Sequence, residues 1–410
     1  MAVKQIKAPL PLFDNLDFLQ NASKPAGIYA GEFLTDFEKT KAFLLSYRAS
    51  LPTFNAYRRE VERFLHWCNK VLLKSLVQLT REDFEDYIAF CQNPPKDWIG
   101  LQNVPKFIDQ AGNRVANAEW RPFVATLPKS VIKLGKKPSI KDYRLSEKAL
   151  QQIFSILSSF YNFLIQENYA KVNPVLLIKQ KNTKYIRKHQ TNAKVRRRSE
   201  LQWAYVIETA EILANKDPEV HQRTLFIMNL LYGMYLRISE LVASERWTPQ
   251  MSDFARDYDG NWWFTTVGKG NKERQISVSD AMLAALKRYR QYLGVIPLPA
   301  PGEDLPLLNK VRGHGPVTST RYIRKIVQFC FDQAVERLQQ DNMPEDAQQL
   351  MAATVHWLRH TGISDDVKFR PREHVRDDAG HSSSAITDRY IDIGLRERHA
   401  SARKKLIKPE

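Results

Sequence analysis

The sequence predicts a mainly α-helical protein with one small antiparallel β-sheet, built as two domains on either side of a basic linker. Three observations predict it. Apolar residues recur at helical spacing through most of the chain, one stretch near residues 262–278 reads as paired strands around a Gly-rich tip, and residues 179–198 follow no apolar period at all. At ~150 residues per domain, a chain of 410 residues makes two or three domains, each able to bury a core. Its 43% hydrophobic and 11% aromatic content is that of a folded protein, so collagen-like, disordered and disulfide-scaffold classes are excluded.

Residues 1–30 carry several prolines and no sustained period, and read as an arm packed late on a domain, without chemistry. A helical domain is expected over residues 31–178. Phe54, Tyr57, Val61, Phe64, Leu65 and Cys68 form one stripe of a helix with Thr53 as its N-cap. A second helix, REDFEDYIAFCQN, is entered through Thr80, with acids in its first turn where the macrodipole favours them. A third runs from about Ser146 to Glu167 with Ile153, Leu157, Phe160 and Leu164 inward, and Asn173-Pro174 ends the region. Between the last two, residues 94–144 are rich in Pro, Lys and Trp and weak in period, and read as an insertion. Its KSVIKLGKK cluster could touch phosphate, although a solvated loop is the simpler reading.

The linker, residues 179–198, has nine Lys or Arg among its twenty residues and no acid: Lys179, Lys181, Lys184, Arg187, Lys188, Lys194, Arg196, Arg197 and Arg198. Such a run serves either as an ordinary solvated connection or as a strap along a polyanion. The balance of the whole chain favours the strap. With 62 Lys+Arg against 45 Asp+Glu the net charge is +17, and a basic surface of that size draws a polyanionic partner because neutralised phosphates release counterions. Cys68, Cys91 and Cys330 are too sparse for a CxxC site or a disulfide framework, which points to a reducing compartment. There is no apolar run of ~18 residues and no signal-peptide core, so an intracellular, cytoplasmic protein without a membrane partner is expected.

Beyond the linker, residues 199–243 read as helical. Asp259-Gly260 marks a turn before the strand of residues 262–267, the tip Gly268-Lys269-Gly270-Asn271 and the strand of residues 274–278. Helices resume over residues 280–292, 320–339 and 355–362, with short ones after them. Five polar segments stand out in this domain. Arg237 in YLRISEL is a lone charge in an apolar stretch, which a salt bridge with Glu240 would also explain. Lys269 sits at a tip whose glycines let a ligand approach, flanked by Lys272 and Arg274. His356 and Arg359 are three apart on one helical face, and Gly380-His381 is followed by Tyr390 nine residues later.

Taken together, LLYGMYLRISELV, VGKGNKERQISVSD, VHWLRHTGIS and AGHSSSAITDRYIDIG resemble the tyrosine recombinase (phage integrase) family, clearly over residues 198–395 and only in general pattern over residues 33–175. The residue types suit that chemistry on their own terms. Opening a phosphodiester by transesterification needs an oxygen nucleophile, which Tyr390 supplies, and cations for the non-bridging oxygens. Arg237 and Arg359 offer planar forks that grip two phosphoryl oxygens at once, which lysine cannot copy. The resemblance implies that Lys269 protonates the departing 5′-oxygen, His356 assists Tyr390 and His381 bonds the scissile phosphate. A phosphotyrosyl ester keeps the energy of the broken bond, so no cofactor is expected. No metal is expected either, because the segments hold no cluster of carboxylates; His356, His360 and His381 could be read as metal ligands, but no Cys or HxH pattern accompanies them.

The resemblance further implies a DNA clamp of a helical core-binding domain and a tyrosine recombinase catalytic domain (199–410) joined by the linker, working as a homotetramer on double-stranded DNA, with accessory DNA-bending proteins as further partners. Residues 394–407 would then dock on a neighbouring subunit. Integration or excision of a mobile element is the expected role, with cointegrate or chromosome-dimer resolution as the alternative. Two other readings use the same residues: a type IB topoisomerase, and a DNA-binding protein that never cleaves. The sequence departs from the family pattern at Tyr235, Ser277, Gly362, Ser364 and Ala379, all beside the expected site, while each reactive position is filled.

Overall fold

Several helices of this chain begin where a side chain accepts from a first-turn amide, as at Asn15, Thr80, Ser146, Asp217, Ser279 and Ser319. The computed structural model describes residues 6–20, 32–181, 200–245, 247–268, 271–381, 383 and 403, with the side chains of 179–181 outside the description. The chain divides into two compact units, residues 1–191 and 192–410.

The first unit holds α1 (Leu16–Leu19), α2 (Glu32–Leu45), α3 (Leu51–Trp67), α4 (Arg81–Gln92), β1 (Ile99–Gly100), β2 (Phe107–Gln110), β3 (Asn113–Ala116), β4 (Phe123–Val124), α5 (Lys129–Lys133), α6 (Glu147–Gln166) and α7 (Pro174–Lys181). Thr80 and Ser146 cap α4 and α6 as the sequence indicated, Thr80 through a reciprocal box with Asp83. The cap of α3 is Ser50 rather than Thr53, with Pro52 in the first turn and the two hydroxyls bonded to each other at 2.8 Å. Asn173-Pro174 does not end the domain. Asn173 accepts from the amides of Val175 and Leu176, so the pair starts α7 and carries the helix into the first residues of the basic stretch. Aromatic side chains from α2, α3, α4 and α6, among them Phe43, Phe64, Phe84, Tyr87 and Phe160, fill the core.

Two segments expected to be peripheral are parts of that core. The buried Glu62 carboxylate of α3 accepts from the backbone amides of Leu12 and Phe13 and pairs with Lys106, so one acid ties both the N-terminal stretch and the 94–144 segment to the helix. Arg63 donates to the carbonyl of Pro122 at 2.9 Å, Arg114 pairs with Asp14 at 2.7 Å, and Trp98 is fully buried with its indole N–H on the carbonyl of Ile6. The segment also adds β-structure the sequence did not announce: β1 pairs parallel with β4, and β2 pairs antiparallel with β3. Weak periodicity hid it because these strands are two to four residues long. The first five residues of KSVIKLGKK form α5, a short helix with no buried residue, and the rest of the cluster is turn and exposed coil.

The second unit holds α8 (Glu200–Lys216), α9 (Pro218–Gly233), β5 (Phe254–Arg256), β6 (Trp262–Val267), β7 (Glu273–Ser277), α10 (Asp280–Tyr292), α11 (Thr320–Gln340), α12 (Pro344–Met351), α13 (Val355–Asp366) and α14 (Arg372–Ala379). The strands form one antiparallel sheet in the order β5-β6-β7, with Phe264 opposite Ile276 and Thr266 opposite Arg274. β5 extends the expected hairpin by a strand. The core joins Phe226, Leu230, Phe264, Ile276, Leu286, Phe331 and Leu358 from both helices and sheet. The helical reading of residues 199–243 holds only to Gly233. Tyr235 then takes φ +51°, and Arg237 follows in extended backbone ahead of a short 3-10 turn at Ile238–Glu240.

α13 lies against α9 at a contact only glycine permits. A Cβ on Gly362 would stand 2.1 Å from the carbonyl oxygen of Tyr232, a backbone atom that cannot turn aside. The departure from the family pattern at Gly362 therefore has a steric cause in this fold. Gly362→Ala should lower the stability of the second unit by about 1–3 kcal/mol, the usual range for overpacking, seen by scanning calorimetry of the whole chain; an unshifted transition would mean that the two helices part freely.

Candidate active site

A single buried carboxylate organises the cations of the second unit. Glu240 sits in the short turn after Arg237, three residues on, and accepts from the Arg237 backbone amide at 2.8 Å and its Nη1 at 2.9 Å. From β7, Arg274 reaches the same carboxylate with both terminal nitrogens, at 2.8 and 2.9 Å. Burial pushes the Glu240 carboxyl up, but the hydrogen bonds and charge of Arg274, then the amide and charge of Arg237, outweigh burial and hold it below its ordinary value. The salt bridge that would explain Arg237 is thus present, and it orients the side chain. Arg237 remains 30% exposed against 1% for Glu240, so its guanidinium is anchored and still in reach of solvent.

Arg274 was grouped with the DNA contacts, and the structure places it differently. In a strand, residues two apart share a face, and Ile276 on that face is buried in the core. Arg274 is accordingly turned inward, 10% exposed, with its Nε on the carbonyl of Asp378 at 3.1 Å. Lys272, at the other end of the hairpin, is exposed, and its carbonyl accepts from Gly268 at 2.8 Å. Gly268 lies so near the Arg237–Glu240 pair that a Cβ there would be 3.1 Å from Oε1 of Glu240, which brings the residue before Lys269 onto the site.

Arg359 comes from α13 and is buried, 3% exposed. Its Nη1 donates to the carbonyl of Tyr235 and its Nη2 to the carbonyl of Ala379. The positive φ of Tyr235 turns that carbonyl off the end of α9. α14 ends at Gly380 in the left-handed conformation, φ +62°, with the Gly380 and His381 amides returning to the carbonyls of Asp377 and Arg376. A Cβ on Gly380 would stand 2.8 Å from the Arg274 side chain, so glycine is required there twice over. The Gly380 carbonyl in turn accepts from Arg237 at 3.3 Å.

These contacts bring Arg237, Arg359 and His381 around one turn. Burial, then the charges of Arg359 and Arg237, push the His381 imidazole down to about 4, so it is neutral at physiological pH, one ring nitrogen donating and the other accepting. His356 lies on the exposed side of α13, its ring 4.4 Å from that of His360, and burial followed by the charges of His356 and Arg359 pushes His360 down to about 4 as well. Lys269 and Tyr390 lie outside the described residues, as do Lys184, Arg187, Lys188, Lys194, Arg196, Arg197, Arg198 and all of residues 394–407 except Arg403. Lys179 and Lys181 belong to the last turns of α7.

Sequence reasoning treated Glu240 only as a bridge partner and passed over Arg370 and Asp378. Arg370, following α13, donates to the Tyr235 hydroxyl at 3.1 Å, Asp366 at 3.2 Å, Ser277 at 2.9 Å and Asp378 at 2.5 Å. Asp378 also accepts from the Ser277 amide and hydroxyl. Two of the departures from the family pattern, Tyr235 and Ser277, therefore meet on one guanidinium, and a third, Ala379, is buried beside Tyr235, Ile363 and Val375. Among the described residues no cluster of His, Cys, Asp or Glu side chains could hold a metal ion, and no helix is long and apolar enough to cross a membrane.

No protein-family model matches the chain. It is similar to the tyrosine recombinase XerD of Staphylococcus saprophyticus, 26% identical over 264 residues, covering 62% of this chain and 75% of that protein. The tyrosine recombinase XerC of Bradyrhizobium diazoefficiens is 29% identical over 266 residues, covering 63% of this chain and 72% of that protein. In fold it is similar to the XerH site-specific recombinase, whose crystal structure is of a post-cleavage complex bound to palindromic difH substrate, with a TM-score of 0.55, 14% identity and coverage of 95% of this chain and 92% of that one.

The depressed imidazoles give the second unit a pH dependence of known sign. Above the ordinary value of 6.5 these groups are neutral folded or unfolded, and between 6.5 and about 4 the unfolded chain takes up protons that the folded site refuses. Stability should therefore fall as pH drops through that window. His381→Gln should flatten the fall, read as urea midpoints of wild type and variant at stepped pH; parallel curves would show that His381 titrates normally in the fold.

Proposed function

This chain belongs to the tyrosine recombinase family of site-specific DNA recombinases, and on that premise we propose that it cuts and rejoins DNA through a 3′-phosphotyrosyl intermediate and a Holliday junction, for integration and excision of a mobile element. The observation that carries the reading is the convergence of Arg237, Arg359 and His381 on the turn at Gly380. Tyr390 attacks the scissile phosphorus, the two guanidiniums take the non-bridging oxygens and the charge that grows on them, and His381 bonds the same phosphate. Lys269 donates the proton to the departing 5′-oxygen, and His356 assists the tyrosine. Because the phosphotyrosyl ester retains the energy of the broken bond, a 5′-hydroxyl from the partner strand reseals it.

Four protomers on two double-stranded sites, with or without accessory DNA-bending proteins, would cleave in alternating pairs, and residues 394–407 would link neighbours. The basic stretch from Lys179 to Arg198, together with Lys272, would track the duplex backbone. Support for the mobile-element role comes from the 94–144 segment, which buries Trp98 and pairs Lys106 with Glu62, giving the first unit an added rigid surface for recognition. Resolution of cointegrates or chromosome dimers uses the same chemistry on a different pair of sites.

Duplexes nicked beside each candidate position, tiled across the DNA flanking the coding region, test the chemistry. The nick lets the cleaved fragment leave and blocks resealing. Wild type should give a covalent adduct on denaturing gels that survives EDTA, and Tyr390→Phe should give none. An adduct that persists in the Phe variant would move the nucleophile elsewhere, and tight binding without adduct on any duplex would leave a protein that binds and does not cut. Recombination between paired sites in direct and inverted orientation then separates excision and resolution from inversion.

A further inference from the structure

We propose that Arg370 is a positioning residue that sets the Arg359 guanidinium against the scissile phosphate by clamping the two backbone segments whose carbonyls hold it. The inference rests on the reading of Arg359 as a phosphate-binding group. Arg359 donates to the carbonyl of Tyr235 after α9 and to that of Ala379 at the end of α14. Both carbonyls lie at or just past a helix end, where the intrahelical ladder runs out. Tyr235 sits in left-handed backbone and Ala379 in the last turn before the left-handed Gly380, so something else must fix both.

Arg370 does so from a third segment. Its Nη1 holds the Tyr235 hydroxyl at 3.1 Å and Asp366 at 3.2 Å, and the Tyr235 hydroxyl itself bonds Asp366. Its Nη2 holds Asp378, the neighbour of Ala379, at 2.5 Å and Ser277 of β7 at 2.9 Å, while Asp378 grips the amide of Ser277 at 3.1 Å. One planar fork thereby spans the two rails of Arg359 and ties both to the sheet. Geometry explains why it is an arginine: the two ends of the fork serve different segments, and an ammonium reaches one at a time. A guanidinium displaced by ~1 Å costs about 10²-fold in rate, so such a clamp acts on cleavage without touching DNA.

The test compares wild type with Arg370→Met, Arg370→Lys and Tyr235→Phe in the full chain, on the nicked duplex where wild type forms its adduct. Met keeps the stem's packing and removes every donor; the Phe variant removes one hydroxyl and covers the case in which Arg370→Met does not fold. Single-turnover adduct formation should fall roughly 10²-fold in Arg370→Met, less in the other two, with DNA affinity unchanged. A second duplex carries a methylphosphonate at the scissile position, which lacks the negative charge Arg359 would face. On it the deficit of Arg370→Met should shrink, as that of Arg359→Ala should, whereas a chain that is merely less stable is slow on both. Amide exchange should also rise at residues 235–237 and 377–381 in Arg370→Met while α9 and α11 keep their protection. Wild-type cleavage by the variant, an equal deficit on both duplexes, or unchanged exchange at both segments would overturn the clamp. Should wild type form no adduct at all, the recombinase reading fails by itself, and the exchange measurement still decides whether Arg370 holds the two segments.

Discussion

The site depends on one carboxylate buried among guanidiniums. Glu240 is the anion that lets Arg237 and Arg274 approach one another inside a folded unit, and it does so with each oxygen accepting more than one hydrogen. An isolated carboxylate at that depth would protonate instead, because desolvation disfavours the charge. Two cations reverse that preference and keep it ionised. In exchange the acid dictates where the cations stand, with Arg274 turned into the interior and Arg237 anchored while still partly exposed.

Around that pair the backbone, more than the side chains, does the aiming. Tyr235 and Gly380 both adopt positive φ, and each turns a carbonyl or an amide out of a helix end toward the site. Gly362 lets α13 close on α9, which sets how far Arg359 reaches. Regular helix ends could not do this, since their last carbonyls point along the axis. The same turns half-bury His381 and bring the charges of Arg359 and Arg237 near it, and burial first, then those charges, keeps the imidazole neutral.

Much of this was legible in the sequence and some was not, for identifiable reasons. Helix periodicity and caps such as Thr80 and Ser146 are local, so they could be read directly. Of the groups that the motifs singled out, Arg237, Arg359 and His381 come together around the turn at Gly380, while His356 lies on the exposed side of α13. The inward turn of Arg274 was not read although its own strand held the signal, since it alternates in step with the buried Ile276. The end of α9 at Gly233 was overrun because Met234, Tyr235 and Leu236 continue an apolar run, while the left-handed turn at Tyr235, whose carbonyl accepts from Arg359, leaves no periodic signal. The 94–144 segment looked detached because Trp98 and Lys106 find their partners, Ile6 and Glu62, far away in sequence, and periodicity carries no trace of such contacts.

Three guanidiniums gather around this turn, and each is held by the fold. Glu240 is shared between Arg237 and Arg274, and Arg359 donates to two backbone carbonyls. Burial, and after it the charges of Arg359 and Arg237, disfavours a proton on His381, since it would be a further cation out of water. Donors ordered in this way need no reorganisation when they meet an anion, and a preorganised field is worth most where negative charge grows. Here the order comes from the fold itself, from one buried carboxylate and two backbone carbonyls.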